Sequence, residues 1–160
     1  MIDKMTIAPP SYAGAGIILM RPGTTSDDNE YLVLKGSDTG IWSFSKGHPE
    51  VCDGGTPLRT AVRETREETG LEAGIDYDII GNSIRFGKRP YWLGLVRTDA
   101  KPVTLSLREH TSFAWKTWAE IEELQGNGDV RAWVKKSQRG DFVKLQEAIS
   151  LLLQRRRVTA

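Results

Sequence analysis

The chain has 160 residues, 39% of them apolar, and a formal net charge of +1. That length suits one domain over residues 1–160 with a core of its own, and the near-neutral balance excludes any global electrostatic case for nucleic acid or membrane surfaces, so attraction for an anion must be local. The single cysteine, Cys52, excludes an internal disulfide and an all-cysteine metal cluster; no apolar run reaches membrane-spanning or signal-peptide form, which makes a cytoplasmic setting the expectation.

In chain order, residues 1–10 form a polar, proline-ended arm that is expected to be loose. Tyr12 to Met20 reads as a strand, and residues 22–29, rich in Gly, Thr, Ser and Asp, as a loop. Tyr31 to Lys35 is β-like, and the turn Gly36-Ser37-Asp38-Thr39-Gly40 leads to a strand-like Ile41 to Phe44. A loop follows, and then a helix with Thr56 as N-cap, Pro57 at its first position and Gly70 as its stop. Ile79 to Phe86 and Tyr91 to Thr98 read as strands joined by Gly87-Lys88-Arg89-Pro90, and Phe113 to Trp115 as another short one. Thr117 caps a helix through Leu124, Asp129 caps one holding Val130, Trp133 and Val134, and Asp141 caps a last one over 141–157. In that last helix Phe142, Leu145, Ile149, Leu152 and Leu153 recur at helical spacing, with Arg155-Arg156-Arg157 at its C-terminal end, where cations suit the helix dipole. Trp42, Trp115, Trp118 and Trp133 are assigned to packing. Strands on both sides of a central helix, then helices, predict an α/β fold with a mixed sheet between helical layers.

The chemistry concentrates in residues 46–71, K-G-H-P-E-V-C-D-G-G-T-P-L-R-T-A-V-R-E-T-R-E-E-T-G-L. Glu64, Glu67 and Glu68 stand at i, i+3 and i+4, so their carboxylates share one helical face and repel unless something positive neutralises them. A solvated acidic face paired with Arg59, Arg63 and Arg66 is one reading of that spacing. A site for a hard divalent cation, which takes oxygen ligands and bridges carboxylates to phosphates, is the other.

The stretch resembles the Nudix box of the Nudix pyrophosphohydrolases, G-x5-E-x7-R-E-U-x-E-E-x-G-U with U apolar. The matching half is Arg63-Glu64-Thr65-Arg66-Glu67-Glu68-Thr69-Gly70-Leu71, with Gly47 as the opening glycine. The chain departs from the pattern in three ways. Two extra residues separate Gly47 from Arg63, most simply Cys52-Asp53; the place of the first glutamate then falls on Gly55; and the apolar U is Thr65. In the family that glutamate ties the loop to the arginine, so Glu50 or Asp53 is expected to hold Arg63 here. The resemblance, over about Ala13 to Glu123, implies an α/β/α sandwich and a Mg²⁺- or Mn²⁺-dependent hydrolase of phosphoanhydrides. It implies Glu64, Glu67, Glu68 and the main-chain carbonyl of Gly47 as metal ligands. Glu109 is the implied late-loop ligand or general base, because Ser106 to Trp115 is similar to the S-x-E-H-x-x-x-x-W run of diadenosine tetraphosphate hydrolases.

The substrate implied is a small polyanion carrying several phosphates. Trp42 to Glu50 is similar to the W-x-x-P-K-G-H-x-E run of diadenosine tetraphosphate hydrolases, which places Lys46 and His48 beside the phosphates. Diphosphoinositol polyphosphate phosphohydrolases share much of that pattern, so inositol pyrophosphates stand as an alternative class. Capped RNA, without an extended basic segment to support it, and nucleotide sugars are further options, and a non-catalytic phospholigand- or protein-binding module is the rival outside enzymes. Arg85, Lys88 and Arg89, with Lys35 and Arg21, are candidate phosphate contacts. Phe86, Tyr91 and Trp92 could offer a face to a nucleobase, or be core.

Overall fold

In a computed structural model, residues 12–38, 40, 42–86, 89–125 and 139–159 are described. The middle layer is a seven-stranded mixed sheet. Its central strand β1 (Ala15–Arg21) pairs antiparallel with β2 (Glu30–Gly36). A second short strand after it, β3 (Trp42–Ser43), pairs with β2, and β4 (Ser45–Gly47) pairs antiparallel with β1. After helix α1 (Pro57–Thr69) come β5 (Tyr77–Phe86) and β6 (Arg89–Val96), an antiparallel pair in which β6 lies parallel to β1. β7 (His110–Thr117) pairs with β2, and helices α2 (Trp118–Gln125) and α3 (Arg139–Thr159) end the described chain.

Side chains alternate across a strand, so one apolar run can feed two cores. Along β1, Ile18 and Met20 join Tyr31, Val33, Phe44, Trp118, Ile121, Leu145 and Ile149 on the face covered by α2 and α3. Ala15, Ile17 and Leu19 join Leu32, Leu34, Ala61, Leu71 and Tyr77 on the face covered by α1. Each fully buried large apolar side chain contributes roughly 1.5–3 kcal/mol, so β1, buried from Ala15 to Met20, is the natural anchor of the fold. The expected α/β/α arrangement is what forms.

Several local expectations change. Residues 45–47 form a strand instead of loop, because their backbone groups find partners on β1, with Ala15 opposite Gly47 and Ile17 opposite Ser45. The last helix starts at Arg139, so Asp141 lies inside it instead of capping it, and Arg155 is within the helix, which runs to Thr159. The register of β5 against β6 shifts between Ile80 and Ile84, where Gly81 takes φ +70° and makes room for Leu152 of α3. Thr117 and Glu120 cap α2 reciprocally, as expected of Thr117. The arm 1–10, Lys88 and the expected helix at 129–134 lie outside the described residues.

Candidate active site

The loop between β4 and α1 is tied down from both ends. Gly47 is pinned to β1. Val51–Asp53 makes a 3-10 turn in which Asp53 accepts the backbone N–H of Glu50 at 2.9 Å. Asp53 is 2% exposed and accepts a fork from Arg63, Nε to Oδ1 at 2.9 Å and Nη2 to Oδ2 at 3.0 Å, plus the Thr60 hydroxyl at 2.7 Å. The guanidinium beside it holds its carboxyl far below the usual range. Of the two expected partners, Asp53 is the principal one; Glu50 stands 3.5 Å from Arg63. Asp53 is also six residues past Gly47, the spacing of the box glutamate, so the chain's two extra residues follow it instead of including it. Gly54 and Gly55 follow it directly, both left-handed at φ +62° and +75°. Arg63 also donates to the His48 carbonyl, Glu64 and Glu67, joining loop and helix. Thr56 makes no side-chain cap; Pro57 and the left-handed Gly70 bound the helix as expected.

The C-terminal half of α1 turns acids inward. Glu64 and Glu68 are buried. The following segment is bound to the end of the helix by Thr104 N–H to the Thr69 carbonyl and Ser106 N–H to the Glu68 carbonyl, which satisfies carbonyls the helix leaves open. That attachment brings Glu109 over the helix, so that carboxylate oxygens of Glu64, Glu68 and Glu109 lie within 4.8 Å of one another. Glu67 lies outside this trio, half exposed and paired with Arg63 at 3.2 Å. Burial, with Glu64 adding to it, pushes Glu68 up to about 8; burial also raises Glu64. Glu68 Oε1 is buried without a hydrogen-bond partner among the described residues, while Oε2 accepts from Ser45 at 3.2 Å. An orphaned carboxylate oxygen in a group of hard oxygen donors is what a divalent cation satisfies, so these residues fit one.

Gly47 closes the floor. A Cβ there would overlap the carboxyl end of Glu64. Gly47→Ala is therefore expected to displace Glu64 and lower turnover at least about 100-fold, with a melting temperature little changed if the loop alone moves. Parallel activity and melting measurements check it.

The candidate substrate contacts divide by their place on the sheet. Lys46 lies beside the trio: burial, then Arg89, push its ammonium down, against Glu68, Glu109 and Glu64. Arg89 lies against Gly14 with its Nε buried and unpartnered among the described residues. Lys35 and Arg85 occupy the same end, on strands opposite Ser112 and Pro90, and His48 is exposed there with Nδ1 3.3 Å from the Ala13 carbonyl. Arg21 does not belong. It ends β1 about 20 Å from Ala15, where it pairs with Glu30 at 2.7 Å and stacks over Trp115. Tyr91 is core instead of substrate contact: it is 2% exposed, with its ring between Phe44 and Phe86. A strand aromatic facing α3 cannot also face solvent. Ser45, between Phe44 and Lys46, carries no sequence signal of its own, although it is the residue that reaches Glu68.

The NUDIX domain family matches residues 11–139. The bis(5'-nucleosyl)-tetraphosphatase [asymmetrical] of Sus scrofa is 35% identical over 131 residues, covering 73% of this chain and 86% of that protein. The Mus musculus protein of the same name is 34% identical with the same coverage. Among solved structures, a C. elegans Ap4A hydrolase binary complex superposes with a TM-score of 0.61 at 22% identity, covering 86% of this chain and 98% of that one. RenU, a Nudix hydrolase of M. smegmatis, superposes at 0.63 with 14% identity, covering 88% and 87%. The two structures speak for the fold.

Proposed function

The chain belongs to the NUDIX family and is a hydrolase of pyrophosphate bonds, and from that premise we propose that its substrate is a dinucleoside polyphosphate of the diadenosine tetraphosphate type, cleaved with Mg²⁺ or Mn²⁺. One observation carries the reading: the Glu64, Glu68 and Glu109 oxygens converge within 4.8 Å, with Lys46 and Arg89 on the same rim. The names of the relatives at 34–35% identity favour the dinucleotide class over inositol pyrophosphates.

We assign Glu64, Glu68, Glu109 and the Gly47 carbonyl to hold the ion, with Glu67 joining from the solvent side. A bound Mg²⁺ or Mn²⁺ neutralises phosphate oxygens and acidifies a water. Arg63 keeps Glu64 and Glu67 in place while clamping the loop through Asp53. Lys46 and Arg89 grip the phosphate chain, and Lys35, Arg85, His48 and Lys88 are assigned to its outer phosphates. Glu109, exposed at the mouth, is assigned as a further ligand or, alternatively, as the base that takes a proton from the attacking water. No helix among the described residues is long and apolar enough to cross a membrane; the cytoplasm is the proposed setting, where a lone thiol needs no partner.

The test is turnover, with Mg²⁺ or Mn²⁺, of diadenosine tetraphosphate, diphosphoinositol pentakisphosphate, ADP-ribose and capped RNA. Diadenosine tetraphosphate is expected to turn over fastest. A higher kcat/KM on the inositol compound or capped RNA would reassign the substrate, and inactivity on all four would favour a binding module. Arg89→Ala and Lys46→Ala should raise KM about tenfold or more with a smaller change in kcat. An unchanged KM in both would remove them from the phosphate grip.

A further inference from the structure

Beneath the carboxylates lies a small buried polar cluster that the family pattern does not call for. Ser45 is 1% exposed and Thr65 0%. Ser45 Oγ lies 3.1 Å from Thr65 Oγ1 and 3.2 Å from Glu68 Oε2. Thr65 holds the box position that is otherwise apolar, and Ser45 stands where the similar W-x-x-P-K-G-H run has a proline. The two departures meet each other, and through Ser45 they reach Glu68.

The proton count orders the cluster. A serine hydroxyl has one proton, and an ionised carboxylate can only accept. With Glu68 charged, the Ser45 proton therefore goes to Glu68 Oε2, and Ser45 in turn accepts from Thr65. The result is a directed pair of donors, Thr65 to Ser45 to Glu68, in surroundings dry enough for each bond to strengthen the next. Both hydroxyls come from rigid elements, β4 and α1, which are themselves joined through β1. This fixes one oxygen of Glu68 and leaves Oε1 as the oxygen without a partner among the described residues.

We infer that Ser45 and Thr65 are positioning residues that orient the Glu68 carboxylate so that Oε1 faces the ion, Thr65 acting through Ser45. The inference rests on the metal reading of the site given above. Hydrogen-bond partners that orient a ligand typically change metal affinity 10–100-fold when removed.

The experiment is direct Mn²⁺ binding to the full chain, without substrate, followed by the loss of the free-ion paramagnetic resonance signal. Thermal melts of each variant run alongside. Ser45→Ala should raise the Mn²⁺ Kd roughly 10–100-fold. Thr65→Val, which keeps shape and removes the hydroxyl, should raise it less, about threefold to tenfold. Adding Thr65→Val to Ser45→Ala should do little more than Ser45→Ala alone, since the threonine has no other route to the carboxylate. Thr65→Ser, retaining the hydroxyl, should restore binding to within about twofold of the parent. Folded Ser45→Ala with the parent Kd would overturn the positioning role while leaving the metal site standing. So would a Thr65→Val effect that adds in full to that of Ser45→Ala. A parent chain that takes up no Mn²⁺ would overturn the metal reading and the positioning with it.

Discussion

Glu68→Gln should lower kcat/KM roughly 10³- to 10⁵-fold while the protein stays folded, measured with diadenosine tetraphosphate and Mn²⁺. The substitution keeps the shape of the side chain and its hydrogen bond from Ser45 but removes the charge that a divalent cation needs. A second readout separates a lost ligand from lost structure. Glu68 is 2% exposed, and burial lifts its pKa from 4.5 to about 8. A folded-state pKa above the unfolded one means that the native state binds the extra proton, so stability is full below about pH 4.5 and falls as pH rises through about 8. With chelator present, Glu68→Gln should therefore melt above the parent at pH 8, and the difference should shrink toward pH 4.5. Activity retained within tenfold would remove Glu68 from the metal site. A parent melting curve flat over that range would contradict the burial argument.

Asp53→Asn should cost about 3 kcal/mol of stability at pH 7, seen as a melting point lower by on the order of 10 °C. The side chain is buried and receives three kinds of donor: the Arg63 fork, the Thr60 hydroxyl and the Glu50 amide. Asparagine keeps the volume but turns an acceptor toward a guanidinium into an amide that cannot answer both of its N–H groups. The loss stays near the lower end for a broken buried pair because Glu64 and Glu67 still neutralise Arg63. Arg63→Met, which leaves the buried Asp53 charge without its guanidinium and with only the Thr60 and Glu50 donors, should reach about 5 kcal/mol. Acid supplies the sign. Asp53 sits below its ordinary value of 3.8, so its contribution is present above that pH and is lost as pH falls through the folded-state value. The variant should lack that acid-dependent step. Chemical denaturation across pH 2–7 measures both, and a denaturation midpoint within error of the parent would remove Asp53 as the clamp of the loop.

Gly47, the paired Arg63 and Glu64, and the acids at 67 and 68 were legible because a short motif on one loop and one helix carries its own spacing. The same holds for β1 and for the C-terminal stop at Gly70, where apolar runs and a left-handed residue are local signals. Counting backward from Arg63 misplaced the loop's extra residues, because a count along the chain cannot tell which acid turns inward. Burial of Asp53 against Arg63 and Thr60 resolves that. Arg21 looks equivalent to Lys35 and Arg89 as a lone cation near a strand end, but the sheet places it at the opposite end of the strands.

Local order therefore specified the helix face, the run of acids on it and the strand periods, since each is set by residues a few positions apart. Which acids share a site was left to the folded chain. Glu109 meets Glu64 and Glu68 because backbone hydrogen bonds from Thr104 and Ser106 fasten a distant loop to the end of α1, while Glu67, adjacent in sequence, is turned toward solvent and Arg63. Ser45 reaches Glu68 for the same reason: β4 pairs with β1, and no spacing along the chain encodes a contact made across a sheet.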